Sequence, residues 1–125
     1  MAQSQAQSHQ RPPITCHVLD TTTGRPAAGL PVTLSLLSPS SKSLQLSATT
    51  NGDGRVAATQ QQHQQEAKDE LVFALRFETR AYWESRGVAA FFPEVEVRFV
   101  VRARDEHYHV PLLLGPFNYT TYRGS

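Results

Sequence analysis

Between Glu94 and Ala103 the chain alternates, with Val95, Val97, Phe99 and Val101 on one side and Glu96, Arg98 and Arg102 on the other. Successive side chains of an extended strand point to opposite faces, so a period of two gathers the apolar residues on one face, where a helical period would scatter them. The same period recurs in Ile14–Asp20, where Ile14, Cys16 and Val18 oppose Thr15, His17 and Leu19. Gly29–Leu37 repeats it with Val32, Leu34 and Leu36, and Leu71–Glu78 with Leu71, Phe73, Leu75 and Phe77. In His107–Leu114, Tyr108, Val110, Leu112 and Leu114 oppose His107, His109, Pro111 and Leu113. Strands with one apolar face must bury it against another layer. Runs at Leu44–Thr50, Arg55–Ala58 and Phe117–Tyr122 bring the total to about eight short strands. Turn chemistry separates them at Thr21–Pro26, Asn51-Gly52-Asp53-Gly54 and Gly115–Pro116. Thr79–Arg86 is the one helical stretch, with Thr79 placed to cap it and Gly87 to end it. The expected architecture is all-β, a two-sheet sandwich with one short helix.

Composition narrows the functions such a sandwich can serve. The length of 125 residues suits one domain with its own core, and Cys16, the sole cysteine, excludes an intramolecular disulfide and fits a reducing compartment. The Gln- and Ser-rich residues 1–13, closing on Pro12-Pro13, are expected to be a disordered leader, with the folded domain over 14–125. Ser38–Ser43 and the Gln-rich Thr59–Gln65 read as polar loops. A net charge of +1, with both signs dispersed, offers no basic patch, so nucleic acid is not an expected partner. No apolar run approaches the roughly 18 residues of a membrane span, and the N-terminus lacks the apolar centre of a signal peptide. A cytoplasmic or peroxisomal location is expected, although the Ser-Lys-Leu type of peroxisomal address is absent.

Chain ends ordinarily fray, but His107–Ser125, HYHVPLLLGPFNYTTYRGS, is rich in strand formers and carries two histidines, three tyrosines and Arg123. It is expected to be ordered and used. Its last four residues, Tyr122-Arg123-Gly124-Ser125, together with His17-Val18-Leu19-Asp20 and His109-Val110-Pro111-Leu112-Leu113, resemble the signature of the 5-hydroxyisourate hydrolases, the enzyme branch of the transthyretin-like family. The resemblance runs from about Ile14 to Ser125. It implies a two-sheet sandwich assembled as a homotetramer, a dimer of dimers, with active sites between subunits and no cofactor. The implied reaction opens 5-hydroxyisourate at its N1–C6 amide to 2-oxo-4-hydroxy-4-carboxy-5-ureidoimidazoline, a step between urate and allantoin in purine catabolism. His17, Arg55, His109 and Ser125 match the catalytic positions, and Thr121, Tyr122, Arg123 and Gly124 belong to the terminal motif and its substrate-binding surroundings. Gly115 stands where serine is expected in many relatives. Hormone carriers share the fold but lack the terminal motif, which separates a binding protein from the enzyme reading.

The residues themselves support part of this. His17 and His109 fall on faces opposite the apolar ones, hence outside the sandwich. An open sheet face is nearly flat whereas catalytic sites are concave, so a second copy is expected to close over the pair, with Leu19, Pro111 and Leu113 offering it apolar area. His9, His63 and His107 read as ordinary surface or hydrogen-bonded histidines. No sequence-local pair has metal-ligand spacing on a helix, so no metal is expected. Hydrolysis of the amide needs a base for water, a cationic donor for the oxygen that gains charge and an acid for the leaving nitrogen. One of His17 and His109, kept neutral by a nearby cation, is the expected base; Arg55 is the expected oxyanion donor, and Ser125, offering a hydroxyl and a carboxylate together, orients water or a histidine.

Overall fold

The computed structural model describes residues 14–38, 45–58, 70–102 and 106–125. The leader, most of the Ser-rich loop and the Gln-rich loop lie outside the described residues. The elements in order are β1 (Ile14–Asp20), β2 (Arg25–Pro26), β3 (Pro31–Ser38), β4 (Gln45–Thr49), β5 (Arg55–Ala58), β6 (Leu71–Phe77), α1 (Thr79–Glu84), β7 (Val95–Val101), β8 (Tyr108–Leu114) and β9 (Tyr119–Thr121). They form two sheets: a five-stranded one ordered β2-β1-β8-β9, with β5 also on β1, and a four-stranded one ordered β4-β3-β6-β7. The two-residue β2, which pairs Pro26 with Leu19 and Arg25 with Asp20, falls in the stretch expected to be a turn.

The alternating runs face as their period requires. Ile14, Cys16 and Val18 are buried, as are Val32, Leu34 and Leu36, Leu71, Phe73, Leu75 and Phe77, and Tyr108, Val110, Leu112 and Leu114. Together they form one core between the sheets. On the edge strand β7 only Val95 and Val101 are fully buried; Val97 and Phe99 pack half-buried against the cluster, Phe99 stacking on Phe73 at 6.1 Å. Pro111 departs from expectation. It is buried within its own chain rather than offered to a partner, because the C-terminal segment lies back over it.

The central pairing of the first sheet is parallel. β1 and β8 run in register from Ile14 opposite Tyr108 to Asp20 opposite Leu114. On the other edge of β1, β5 pairs antiparallel from Ile14 opposite Ala58 to His17 opposite Arg55. β1 therefore pairs with β2 and β5 from the first half of the chain and with β8 from the second.

Helix α1 begins differently from its expected form. Glu78 donates its N–H to the Pro31 carbonyl at 3.0 Å, which keeps it tied to β3, and the chain turns helical one residue later. Thr79 is thus the first helical residue rather than the cap, and its buried hydroxyl has no hydrogen-bond partner among the described residues. The C-terminal end follows expectation: Gly87 takes φ +72°, its N–H reaches the Glu84 carbonyl and that of Val88 the Trp83 carbonyl, the paired bonds of a glycine-terminated helix. The helix is fastened to the first sheet by Tyr82, whose hydroxyl donates to the Asp20 carboxylate at 2.6 Å.

Candidate active site

Three strands converge on the outer face of the first sheet. Thr15 and His17 point outward from β1; β5 sets Arg55 opposite His17, and β8 sets His109 opposite Thr15. The Arg55 position is fixed by the turn before it. Asn51 Oδ1 accepts the N–H groups of Asp53 (2.8 Å) and Arg55 (3.0 Å), and the Gly54 N–H returns to the Asn51 carbonyl at 2.8 Å. Gly54 has φ +73° and lies so close to β1 that a Cβ would come 2.5 Å from the Val18 carbonyl oxygen. Only glycine satisfies both conditions.

The other side of the site is shaped by the chain's final residues. The Gly124 N–H donates to the His109 carbonyl at 2.8 Å, and Thr121 Oγ1 donates to the Pro111 carbonyl at 2.7 Å. A Cβ on Gly124 would sit 2.7 Å from His109 Cδ2 and 3.0 Å from Pro111 Cγ. The terminal segment is thereby laid along β8, and Ser125 reaches the rim of an open cleft of about 480 Å³ whose lining includes Thr15, Asn51, Arg55, His107 and His109.

Within the cleft Thr15 Oγ1 lies 2.7 Å from His109 Nδ1 and 3.2 Å from His107 Nε2. The two imidazoles are nearly parallel, 13° between planes and 6.3 Å between centres. Burial, and then the Arg55 guanidinium, push His17 below the ordinary 6.5, outweighing the backbone bond and charge of Asp53 that favour its cation. His109 is lowered in the same direction by burial first, then by Arg55, His107 and His17. Both rings are therefore neutral at pH 7, able to accept a proton next to a permanent cation. Cys16 contributes no nucleophile, since its side chain lies in the core and burial raises its thiol to about 12. Among the described residues no group of three or more His, Cys, Asp and Glu is placed to hold a metal ion.

Of the residues singled out in the sequence, the structure brings His17, Arg55, His109 and Ser125 to this region. Thr121, Tyr122 and Arg123 lie elsewhere within the protomer, lining a smaller hollow of about 270 Å³ against β7 that shares His109 with the cleft. Arg123 is engaged there: it pairs with Glu106 at 3.1 Å, donates to the His107 carbonyl at 3.3 Å and lies over the Tyr108 ring at 4.3 Å. Tyr122 is 56% exposed. Gly124 touches His109 by its close backbone approach. His9 and His63 lie outside the described residues. Sequence reasoning missed Thr15, Asn51 and His107. His107 is hydrogen-bonded, as one of its expected readings has it, and it also lines the cleft; what hid that placement was the pairing of β8 with β1 across most of the chain. Gly115 sits away from the cleft, in the β8–β9 turn, where its N–H meets the Asn118 carbonyl at 2.8 Å and a side chain would meet Asn118 Oδ1.

Comparison with known proteins identifies the family. A model of the HIUase/transthyretin family matches residues 14–124. The chain is 44% identical over 115 residues to the 5-hydroxyisourate hydrolase of Mus musculus, covering 90% of this chain and 95% of the mouse protein. The solved structure of Klebsiella pneumoniae 5-hydroxyisourate hydrolase superposes with a TM-score of 0.71 at 31% identity, covering 90% of this chain and 98% of that one. Sea bream transthyretin in complex with thyroxine superposes at 0.77 with 29% identity, covering 90% and 94%. With a family match over residues 14–124 and these relatives aligned nearly end to end, the chain belongs to the HIUase/transthyretin family.

Proposed function

We propose that the protein is a 5-hydroxyisourate hydrolase, opening its substrate at the N1–C6 amide in urate degradation, and that the cleft on the outer face of β1, β5 and β8 is its active site. The observation that carries this reading is a guanidinium set beside two histidines that burial and its charge together keep neutral, in a chain 44% identical to the mouse hydrolase. A neutral imidazole, His109 or His17, takes a proton from water as the oxygen bonds to C6. Arg55 meets the oxygen that gains charge and binds the planar ureide through its fork of donors. Ser125, on the rim, orients the water or an imidazole with its hydroxyl. A histidine proton is returned to N1 as the C6–N1 bond breaks, and no covalent intermediate forms. Gly124 holds the His109 strand in place; Thr121 and Arg123 hold the terminal segment by their bonds to the Pro111 and His107 carbonyls, and with Tyr122 they line the neighbouring hollow that shares His109 with the cleft. The active unit is a homotetramer, a dimer of dimers, in which a second subunit closes the cleft; the openness of the cleft in the single chain supports this.

Decay of freshly generated 5-hydroxyisourate, followed by ultraviolet absorbance, tests the reading. The full chain is expected to accelerate decay, and Arg55→Ala, His109→Ala or removal of Ser125 to lower turnover by about a hundredfold or more. A folded full chain that leaves the decay at its background rate overturns the hydrolase reading.

A further inference from the structure

The cleft holds a third histidine, His107, and a threonine that the steps above leave unused. A threonine hydroxyl carries one proton and can accept others. Thr15 Oγ1 stands between two imidazole nitrogens, 2.7 Å from His109 Nδ1 and 3.2 Å from His107 Nε2, a position from which it can donate to one while accepting from the other. In that arrangement the protonation of one ring is tied to that of the other. Because Nδ1 of His109 is committed to Thr15, Nε2 is the nitrogen left for chemistry.

We propose that Thr15 is the positioning residue of this active site, bridging His107 to His109 so that His109 Nε2 acts as the base and the proton it displaces passes to His107. This rests on the hydrolase reading. In the resting arrangement His109 carries its proton on Nδ1 and donates to Thr15, which donates to His107 Nε2. As a water proton moves to His109 Nε2 and the hydroxide oxygen bonds to C6, the Nδ1 proton passes to Thr15 Oγ1 and the Thr15 proton passes to His107 Nε2. His109 ends neutral in its other tautomer and His107 ends as the cation. Positive charge thus settles on the ring across Thr15 instead of on the one whose neutral form Arg55 favours. When the C6–N1 bond breaks, Nε2 gives its proton to N1 and the two relay transfers reverse, returning a proton from His107 Nε2 to Thr15 and from Thr15 to His109 Nδ1. Thr15 never touches the substrate; it acts through His109.

The test joins kinetics with a spectroscopic readout that needs no substrate. Thr15→Val keeps a β-branched side chain in β1 and removes the hydroxyl, and Thr15→Ser restores it. Thr15→Val is expected to lower kcat by about 10–100-fold, the range for removing the group that orients a functional imidazole, with KM changed little. Thr15→Ser is expected to recover most of that loss. In ¹⁵N spectra of the imidazoles, His109 of the wild-type protein is expected to hold its proton on Nδ1, and in Thr15→Val to redistribute it between the two nitrogens. An unchanged His109 spectrum in Thr15→Val, or full kcat in that variant, overturns the proposal while leaving the hydrolase reading intact. A wild-type chain with no hydrolase activity overturns both, whatever the spectra show of the bridge.

Discussion

A guanidinium next to two imidazoles sets the chemistry of this site residue by residue. His17 meets Arg55 from β5 and Asp53 from the turn; His109 meets Arg55, His17 and, just before the start of its own strand, His107. Burial and the cation depress both histidines below 6.5, so the base form is present at pH 7 and is lost only as the pH falls through the depressed values. The rate is therefore expected to hold through neutrality and to fall on acidification, and Arg55→Gln is expected to raise the His17 and His109 titrations, read by proton NMR. Titrations that stay put in Arg55→Gln would remove the guanidinium from this role. Stability follows the same sign: the unfolded chain takes up protons on these histidines first, so the folded state loses stability as the pH drops below about 6.5. Gly124 gives a second prediction. Gly124→Ala drives a methyl toward His109 Cδ2 at 2.7 Å and is expected to cut turnover by about tenfold or more while the protein stays folded; wild-type turnover would show that the ring has room to yield. His17, Arg55, His109 and Ser125 were legible in the sequence because they sit in recognisable motifs. Thr15 and His107 were not, since a threonine in a strand and a histidine two residues from another carry no signal until β1 and β8 are seen side by side.

At the level of elements, β1 is supported near its C-terminal end by contacts that a sequence period does not announce. The Asn51–Gly54 turn crosses it there, with Val18 N–H bonded to the Gly54 carbonyl at 2.8 Å. Gly54→Ala meets two penalties there, roughly 1–2 kcal/mol for the left-handed backbone and about 1–3 kcal/mol for the clash with the Val18 carbonyl. A clear fall in melting temperature is expected, and an unchanged one would mean that the turn re-forms elsewhere. Two residues further along the strand, Asp20 is buried yet ionised. Desolvation raises its carboxyl, but the bonds from Thr22, Tyr82 and the backbone of Thr22 and Thr23 together hold it below the usual value. Its stabilising effect is present above 3.8 and is lost as the pH falls through the lowered value. The same contact and burial raise the Tyr82 hydroxyl to about 12, burial acting first. Tyr82→Phe removes one bond to a charged group and is expected to cost about 1.5–3 kcal/mol in denaturant unfolding. The strands and their faces were legible because alternation maps directly onto burial. Their neighbours were not: whether β8 pairs with β1 or with another strand, and in which direction, depends on long-range packing that no local pattern encodes.

For the whole molecule, the decisive fact is that the site lies on a surface. β1, β5 and β8 present His17, Arg55 and His109 on an outward face, and beyond His17 the paired residues Leu19 and Leu113 stay half-buried on that same face. Large aromatic side chains are left exposed elsewhere, Phe91 at 71% and Phe117 at 67%. A folded monomer with such a surface gains free energy by covering it, and a two-fold axis over the outer face would both bury Leu19 and Leu113 and turn an open cleft into an enclosed one. Enclosure matters to the chemistry, because the field of Arg55 acts more strongly on a developing oxyanion once bulk water is excluded. Assembly and activity are thereby linked in the proposed tetramer. Specific activity should fall on dilution through the dissociation range, tracking the loss of tetramer in analytical ultracentrifugation. Leu113→Arg places an unpaired charge on the covered face and should raise the dissociation constant by about a hundredfold or more, with activity falling in step and the sandwich still folded. A Leu113→Arg protein that stays tetrameric and fully active would mean that subunits meet on another surface, and that the cleft works open to water.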